Sequence, residues 1–577
     1  MKKILFFLLL ISTPLFSQWS TDPNVNNLVS GGIGNQSGVS ICTDGAGGMI
    51  MTWFHNRPSG DQKIYAQKFN VFGQPVWNAG GIEVCTFSSN QFAPIICSDA
   101  SGGAIIYWVD FRGGGPGSGA FDLYAQRVRT DGVLMWNTNG IKVNNLSFTS
   151  VFLRCLPAEA GSSIICWYNS VFADYGIYSQ KLDAFGNRTW DLNDVRIPNY
   201  DSYDFNVCSD GGKGIYICWT RLDGTHSFDI HAQHINALGS LQWSPYKVVC
   251  DEEGIQEQPS ICEDQAGGFI VAWEDLRSYF YQPATVSLDI YAAHFNSNGD
   301  NLWTTNGIPV CTESHDQNKT VCISDLHGGA HIFWLDFRNF AVSGFRVYGQ
   351  NLTFNGNSRW NVNGNLAADN VDYFPTNNFY HEPKVTCVDP KGGIICSWLG
   401  YYDMAHTQYG ILTQKMNYNG VIQWDPNGVF ASTGNLKHAP LLISDGGSGG
   451  CNLAWADARG GTVLGDFDIY AQHIKSNSSL GNYKPKPVPG VSDILSQNFP
   501  NPFNPTTNIA FTLANDANVS ITVFDMSGRE LEVLVDGLVT AGDHSVTWNA
   551  NKYASGTYFY KFTNGNNVEV KKMFLVK

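Results

Sequence analysis

Eight times along its 577 residues this chain sets a Trp at the end of an apolar run that follows a Gly-bearing turn: Trp53, Trp108, Trp167, Trp219, Trp273, Trp334, Trp398 and Trp455. Successive members stand 52 to 64 residues apart. A period of that length, with four strand-like runs in each unit, is the mark of a β-propeller and not of a helical solenoid. Seven more Trp residues follow a second turn of the form Gly-x-x-x-Trp: Trp77, Trp136, Trp190, Trp243, Trp303, Trp360 and Trp424. Between the two series lies a third marker, "DIYAQ" in its fullest form. "APIICS", "AIIYWVDF", "DLYAQRVR" and "WNTNGIKV" read as the four strands of one unit, bounded by Gly, Asn or Asp.

The last unit ends at "DIYAQHIKSNSSLGN" without a second Trp, while Trp19 opens "WSTDPNVNNLV", a loose copy of "WNTNGIKV". The expectation is an all-β fold, an eight-bladed β-propeller in which the N-terminal strand closes the last blade, begun near Leu442. That closure leaves no free sheet edge to aggregate. Composition agrees: 60 Gly and 13% aromatic residues against only 15% charged residues suit short strands and tight turns.

The recurring stretch, complete as "DASGGAIIYWVDFR" at 99–112, has separable parts. In Asp-x-x-Gly-Gly the carboxylate can accept turn amides while a Gly takes a positive φ. The full turn occurs at Asp44, Asp99, Asp264, Asp325 and Asp389, shifted at Asp210 and Asp445, and is replaced by "EAGSS" at Glu159. Trp-x-Asp-x-Arg is complete at Asp110/Arg112, Asp275/Arg277, Asp336/Arg338 and Asp457/Arg459. Recurrence on several units favours an internal ion pair or loop cap over chemistry at one centre, with the Arg expected to face the Asp of "DIYAQ". The basic position after "AQ" (Lys68, Arg127, His234, Lys415, His473) reads as a solvated strand face and not as a metal site.

"MKKILFFLLLISTPLFSQ" reads as a signal peptide over 1–17, too short an apolar run to span a bilayer, and no later segment is long enough to do so. Fourteen Cys in an exported chain invite disulfides. Cys155/Cys166, Cys208/Cys218 and Cys387/Cys396 flank turns, and Cys85/Cys97, Cys250/Cys262 and Cys311/Cys322 recur at a second spacing; pairing and burial as small apolar residues stand at even odds. Net charge is −15 with Lys and Arg scattered, which argues against nucleic acid as a partner. No cofactor or metal signature is present.

From Ser476 the repeat stops, and the Pro- and Lys-bearing stretch after it has a linker composition. The organisation expected is a propeller over 18–481, a linker over 482–493 and an immunoglobulin-like sandwich of about seven strands over 494–577. Here "NFPNPFNP" (498–505), "VFDMSGRE" (523–530), Gly542, "GTY" (556–558) and the terminal "KKMFLVK" resemble the C-terminal sorting domain of type IX secretion in Bacteroidota. The resemblance implies passage through the periplasm, then display on the outer-membrane surface or release, with the type IX machinery as partner. It carries Asn501, Pro502, Gly556, Tyr558, Lys572 and Lys577 as sorting-signal residues. The repeat region resembles the propellers that precede such domains.

For function, the loops between second and third strands differ most between units and several are aromatic. Phe172, Tyr175, Tyr279, Phe280, Tyr281, Phe340, Phe345, Tyr401 and Tyr402 are candidate ligand contacts, by stacking on sugars or anchoring a protein; mutual packing within the loops is the competing reading. The leading expectation is a monomeric surface or secreted binding propeller with a glycan or protein ligand. A polysaccharide hydrolase or lyase with carboxylates at the central funnel, and a purely structural surface component, are the alternatives. No catalytic residue is assigned; Glu252, Glu253 and Glu382 are too isolated to name.

Overall fold

A computed structural model describes residues 19–577 except 21, 114–120, 149–151, 171–174, 198–203, 224–226, 278–286, 339–344, 372–383, 388–391, 402–408, 427, 434–440, 445–448, 460–466, 479–493, 496, 499, 514–516, 540–541 and 565–566. The described residues are all-β, without an α-helix and with one 3-10 turn at Phe111–Gly113. The chain divides into two compact units, Met1–Gly481 and Asn482–Lys577.

In the first unit the strands fall into groups of four consecutive antiparallel members. Six are separate four-stranded sheets, and two more are linked into one eight-stranded sheet through a single pair, Val371 with Gly400. The first strands of successive groups touch in order, from Asn35–Thr43 and Gln91–Ser98 onward, and Leu441–Ser444 of the last group touches Asn35–Thr43. One group is not consecutive. Leu441–Ser444, Cys451–Asp457 and Asp468–Ile474 take Asn27–Ser30 as their fourth strand, with Leu28 opposite Tyr470.

Several second strands are buried along their whole length, as in Ala104–Asp110 and Phe269–Asp275. Each places its Trp between two sheets: Trp108, for instance, joins a cluster drawn from its own sheet and the preceding one. A Trp buries roughly 150–250 Å², about 4–6 kcal/mol at ~25 cal/mol per Å² as an upper bound. The Asp turns set the register as expected. Asp99 Oδ1 accepts the N–H groups of Ser101 and Gly103, both at 2.8 Å.

The second Trp series works differently from the expectation. Trp136 lies before a fourth strand reduced to Ile141–Lys142, and its indole N–H donates to Ala184 O in the next repeat at 3.1 Å. Trp77, Trp190, Trp303, Trp360 and Trp424 repeat this inter-repeat bond, to Thr130, Ala237, Phe354, Tyr418 and Ser476. Trp19 makes the same bond to Val71 O at 2.9 Å and stacks on Phe69, so it occupies the place the last repeat lacks. The Gln of "AQ" holds the backbone ahead of most of these rings: Gln126 Oε1 accepts the backbone N–H of Trp136 at 2.8 Å while its amide donates to Asn137 O.

Two further expectations are corrected. The Arg of Trp-x-Asp-x-Arg pairs with its own Asp, not the Asp of "DIYAQ"; Arg277 Nη2 is 2.7 Å from Asp275 Oδ2 and its guanidinium lies over Tyr291. The basic position after "AQ" is not a solvated face. Lys68 is buried, 3.3 Å from Asp44 and 2.8 Å from Gly102 O of the next repeat, and Arg127 holds Asp99 at 3.0 Å. Of the thirteen described cysteines twelve are buried and Cys155 is half-buried, as small apolar residues would be.

The second unit is a three-stranded sheet (Ile494–Leu495, Thr506–Leu513, Gly542–Asn549) and a four-stranded one (Ala517–Phe524, Glu530–Val539, Gly556–Asn564, Asn567–Leu575). One core unites them, with Trp548, Ile521, Tyr560 and Met573 buried.

Candidate functional site

The residue after each first-series Trp is Phe54, Val109, Tyr168, Thr220, Glu274, Leu335, Leu399 or Ala456, so a carboxylate stands there once. Directly across the ladder from Glu274 is Glu257. The same register place on other first strands holds Phe92, opposite Val109, and Asn318, opposite Leu335. Phe152 and Asp204 stand there too, their carbonyls accepting the N–H groups of Tyr168 and Thr220. One level of the unit therefore changes from Phe and Tyr in the second and third repeats to Asp, Thr and Glu in the fourth and fifth.

On the apolar side Phe92, Phe111 and Phe121 pack with ring centroids 4.9 to 5.4 Å apart, and Phe111 is exposed. On the polar side first-strand bulges turn backbone amides toward the carboxylates; Gln258 and Lys319 take φ values of 54° and 56° there. Lys319 N–H donates to Glu274 Oε1 at 2.7 Å. Thr220 Oγ1 donates to Asp204 Oδ2 at 3.1 Å.

Burial dominates the electrostatics. It pushes Glu274 up to about 8, against the pull of Lys319, so that this carboxyl is protonated at neutral pH. Asp204 is raised to about 6 by burial in spite of Thr220, the Gln258 amide and Arg154, and Glu257 is raised by burial as well. Two like charges opposed on adjacent strands would repel. Keeping Glu274 neutral removes that repulsion. Glu274 is almost fully buried and holds the neighbouring bulge, while Asp204, Glu257 and Lys319 are half-buried and Arg154 is exposed. The reachable groups are thus acceptors and cations, a set able to hydrogen-bond hydroxyls. Among the described residues no grouping of His, Cys, Asp and Glu could hold a metal ion.

Of the aromatic-loop candidates, Phe172, Tyr279, Phe280, Tyr281, Phe340 and Tyr402 lie outside the described residues, as does the Tyr401 side chain. Tyr175 is half-buried. Phe345 is 7% exposed and packs edge-on against Phe337 at 4.3 Å, so it is a core ring and not an exposed contact. Glu382 is also outside the described residues. Sequence reasoning missed Asp204, Glu257 and Glu274; the signal was the single acid in the column after Trp.

Among the sorting residues, Asn501 clips the closing strand, its Oδ1 accepting Phe574 N–H at 2.8 Å and its amide donating to Lys572 O at 3.3 Å. Pro502 follows it through a cis bond. Tyr558 is buried, with its hydroxyl on Ala554 O at 2.7 Å, and Gly556 begins the same strand. Lys577 Nζ donates to Asn551 O at 2.6 Å, whereas Lys572 is exposed beside the Phe574 ring.

Residues 497–577 match the family described as secretion system C-terminal sorting domain. The chain thus carries a type IX sorting tail, which directs it through that machinery to the cell surface or extracellular space. No helix among the described residues is long and apolar enough to cross a membrane. No curated protein matches the chain. Similar solved structures include the Hadza microbial sialidase Hz136 (10% identity, 61% of this chain and 73% of that one, TM-score 0.32). Penicillium chrysogenum α-L-arabinanase complexed with arabinobiose is another (9% identity, 80% and 99%, TM-score 0.32). PorZ, a surface component of the type-IX secretion system of Porphyromonas gingivalis, is similar at 11% identity over 93% and 81% (TM-score 0.22).

Proposed function

We propose that the first unit is an eight-bladed β-propeller, closed by its N-terminal strand, that binds a glycan after export to the cell surface. The succession of touching first strands, returning from the last group to Asn35–Thr43, supports the architecture. The observation that carries the ligand is the change at one level from Phe92/Val109 and Phe152/Tyr168 to Asp204/Thr220 and Glu257/Glu274. A sugar presents apolar C–H faces and hydroxyl edges, and aromatic rings on the same level as carboxylates suit both. The loop aromatics, Tyr279, Phe280 and Tyr281 among them, belong to the same binding surface in this proposal. The sandwich at 494–577 is immunoglobulin-like and acts in sorting alone.

The test is a glycan array probed with the full exported chain and with Asp204→Asn and Glu257→Gln. Loss of one charge-assisted hydrogen bond weakens binding about tenfold in each variant. Parental binding by both variants would remove the inner-level reading. A Tyr279/Phe280/Tyr281 triple Ala variant tests the loops separately. The opposed Glu257/Glu274 pair, with one member neutral and both raised, also favours a second reading as a proton-transfer pair of a polysaccharide hydrolase. Reducing-sugar release lost in Glu274→Gln would support it.

A further inference from the structure

Seven of the eight repeats place a Cys near the end of the first strand, at two different depths. Cys42, Cys97, Cys208, Cys262 and Cys387 stand two residues before the turn Asp. Cys322 stands three before Asp325, and Cys155 three before Ala158, whose N–H closes the equivalent turn on Ser162 O. Where a strand of the first kind is followed by one of the second, the thiols meet. Cys262 Sγ lies 3.4 Å from Cys322 Sγ, both residues being buried. Cys97 and Cys155 stand at the same relative offset at another junction between repeats. The first strands are held in place there, since Cys322 N–H donates to Ser260 Oγ at 2.9 Å.

We propose that Cys262 and Cys322 form a disulfide that joins two neighbouring repeats in the exported protein. A disulfide needs sulfurs about 2.05 Å apart, a distance that small side-chain rotations reach from 3.4 Å. None of the pairs suggested by sequence spacing is this one. The oxidant is the disulfide of a thiol–disulfide oxidoreductase in the compartment beyond the inner membrane. One Cys thiolate attacks that disulfide, giving a mixed disulfide and releasing one carrier thiolate. The second Cys thiolate then displaces the other carrier sulfur. The product is one S–S bond in the chain and a reduced dithiol carrier, which takes up the two electrons; the two thiols of the chain give up their protons. The neighbouring Cys322 thiol and burial both push the Cys262 thiol up, so the exchange belongs to the chain before this strand is covered. Once buried, the bond is shielded from reductants.

The full chain is collected after export, denatured without reductant in excess N-ethylmaleimide, digested and weighed. The expected product is one unlabelled species joining the Cys262 and Cys322 peptides, two hydrogens lighter than their sum and split by dithiothreitol. Cys262→Ala then leaves Cys322 labelled, and Cys322→Ala leaves Cys262 labelled. Full labelling of both residues in the exported parental chain, or linkage of either to a different Cys, would overturn the proposal. Comparison with chain made in a reducing cytoplasm, where both residues label, shows that the bond is acquired on export.

Discussion

The indole N–H of Trp273 donates to Asp275 Oδ2 at 2.8 Å, so the ring that fills the core also fixes a fully buried carboxylate two residues along the strand. Asp275 in turn accepts the backbone N–H of Arg277 at 2.9 Å and two guanidinium N–H groups. Arg277 spans the sheet from there, 3.7 Å over the Tyr291 ring and 2.9 Å from Asn306 O. The indole bond and the Nη2 bond recur at Asp110, Asp336 and Asp457.

Asp275→Ala should therefore strand a partly buried guanidinium and an indole N–H together. Urea denaturation is expected to show a loss of about 3 kcal/mol, the size of a broken buried ion pair. A loss within about 0.5 kcal/mol, the range of ordinary surface changes, would mean the motif has no structural part.

Gly307 sits against the same indole. Its φ is 82°, and a Cβ there would lie 2.4 Å from Trp273 Cη2 and 2.9 Å from Ala292 O. Gly307→Ala is expected to cost about 2–4 kcal/mol, from the left-handed backbone and the forced displacement of the ring. Near-UV circular dichroism of the Trp band should change with it.

Glu274 gives the stability a pH dependence of defined sign. Its folded value, about 8, lies above its ordinary 4.5, so between these values the folded chain keeps a proton that the unfolded chain has released. Stability falls as pH rises through that window, by an amount on the order of 3–5 kcal/mol. Glu274→Gln keeps an oxygen for Lys319 N–H and removes the titration. Urea midpoints at pH 5 and pH 9 should show a shallower fall for the variant, and greater stability than the parent at the higher pH. Asp204 and Asp289, raised to about 6 and about 7, leave a residual slope in both chains. Equal slopes would count against a protonated Glu274.

Removal of residues 497–577 is expected to keep the chain from the surface and the medium, with immunoblots of intact, protease-treated cells and of supernatant as the readout. Asn501→Ala loses two bonds to the closing strand, worth about 1 kcal/mol each. It should lower the exported fraction without abolishing it.

The repeats were legible because each Trp, each Gly of positive φ and each turn Asp recurs in place, and recurrence is what a sequence displays. The sorting tail was legible through its ordered motifs. Lys68 and His294 were misread or passed over for a shared reason. Their charges look solvated along one strand, yet their partners stand across the sheet or in the next repeat: Asp264 for His294 at 2.9 Å, Gly102 for Lys68. Glu274 was hidden by the period itself, since reading columns by what recurs passes over the one position that departs. Cys262 and Cys322 lie one step out of register, so spacing within a repeat could not pair them.

The strand Asn27–Ser30 has its place beside Asp468–Ile474 and nowhere earlier in the chain. A polypeptide that emerges N-terminus first must hold its opening segment unmatched until its last repeat has been delivered. That pairing then forms in one late event, once the last repeat is present, and a nick before Asp468 would leave the beginning of the chain without its mate.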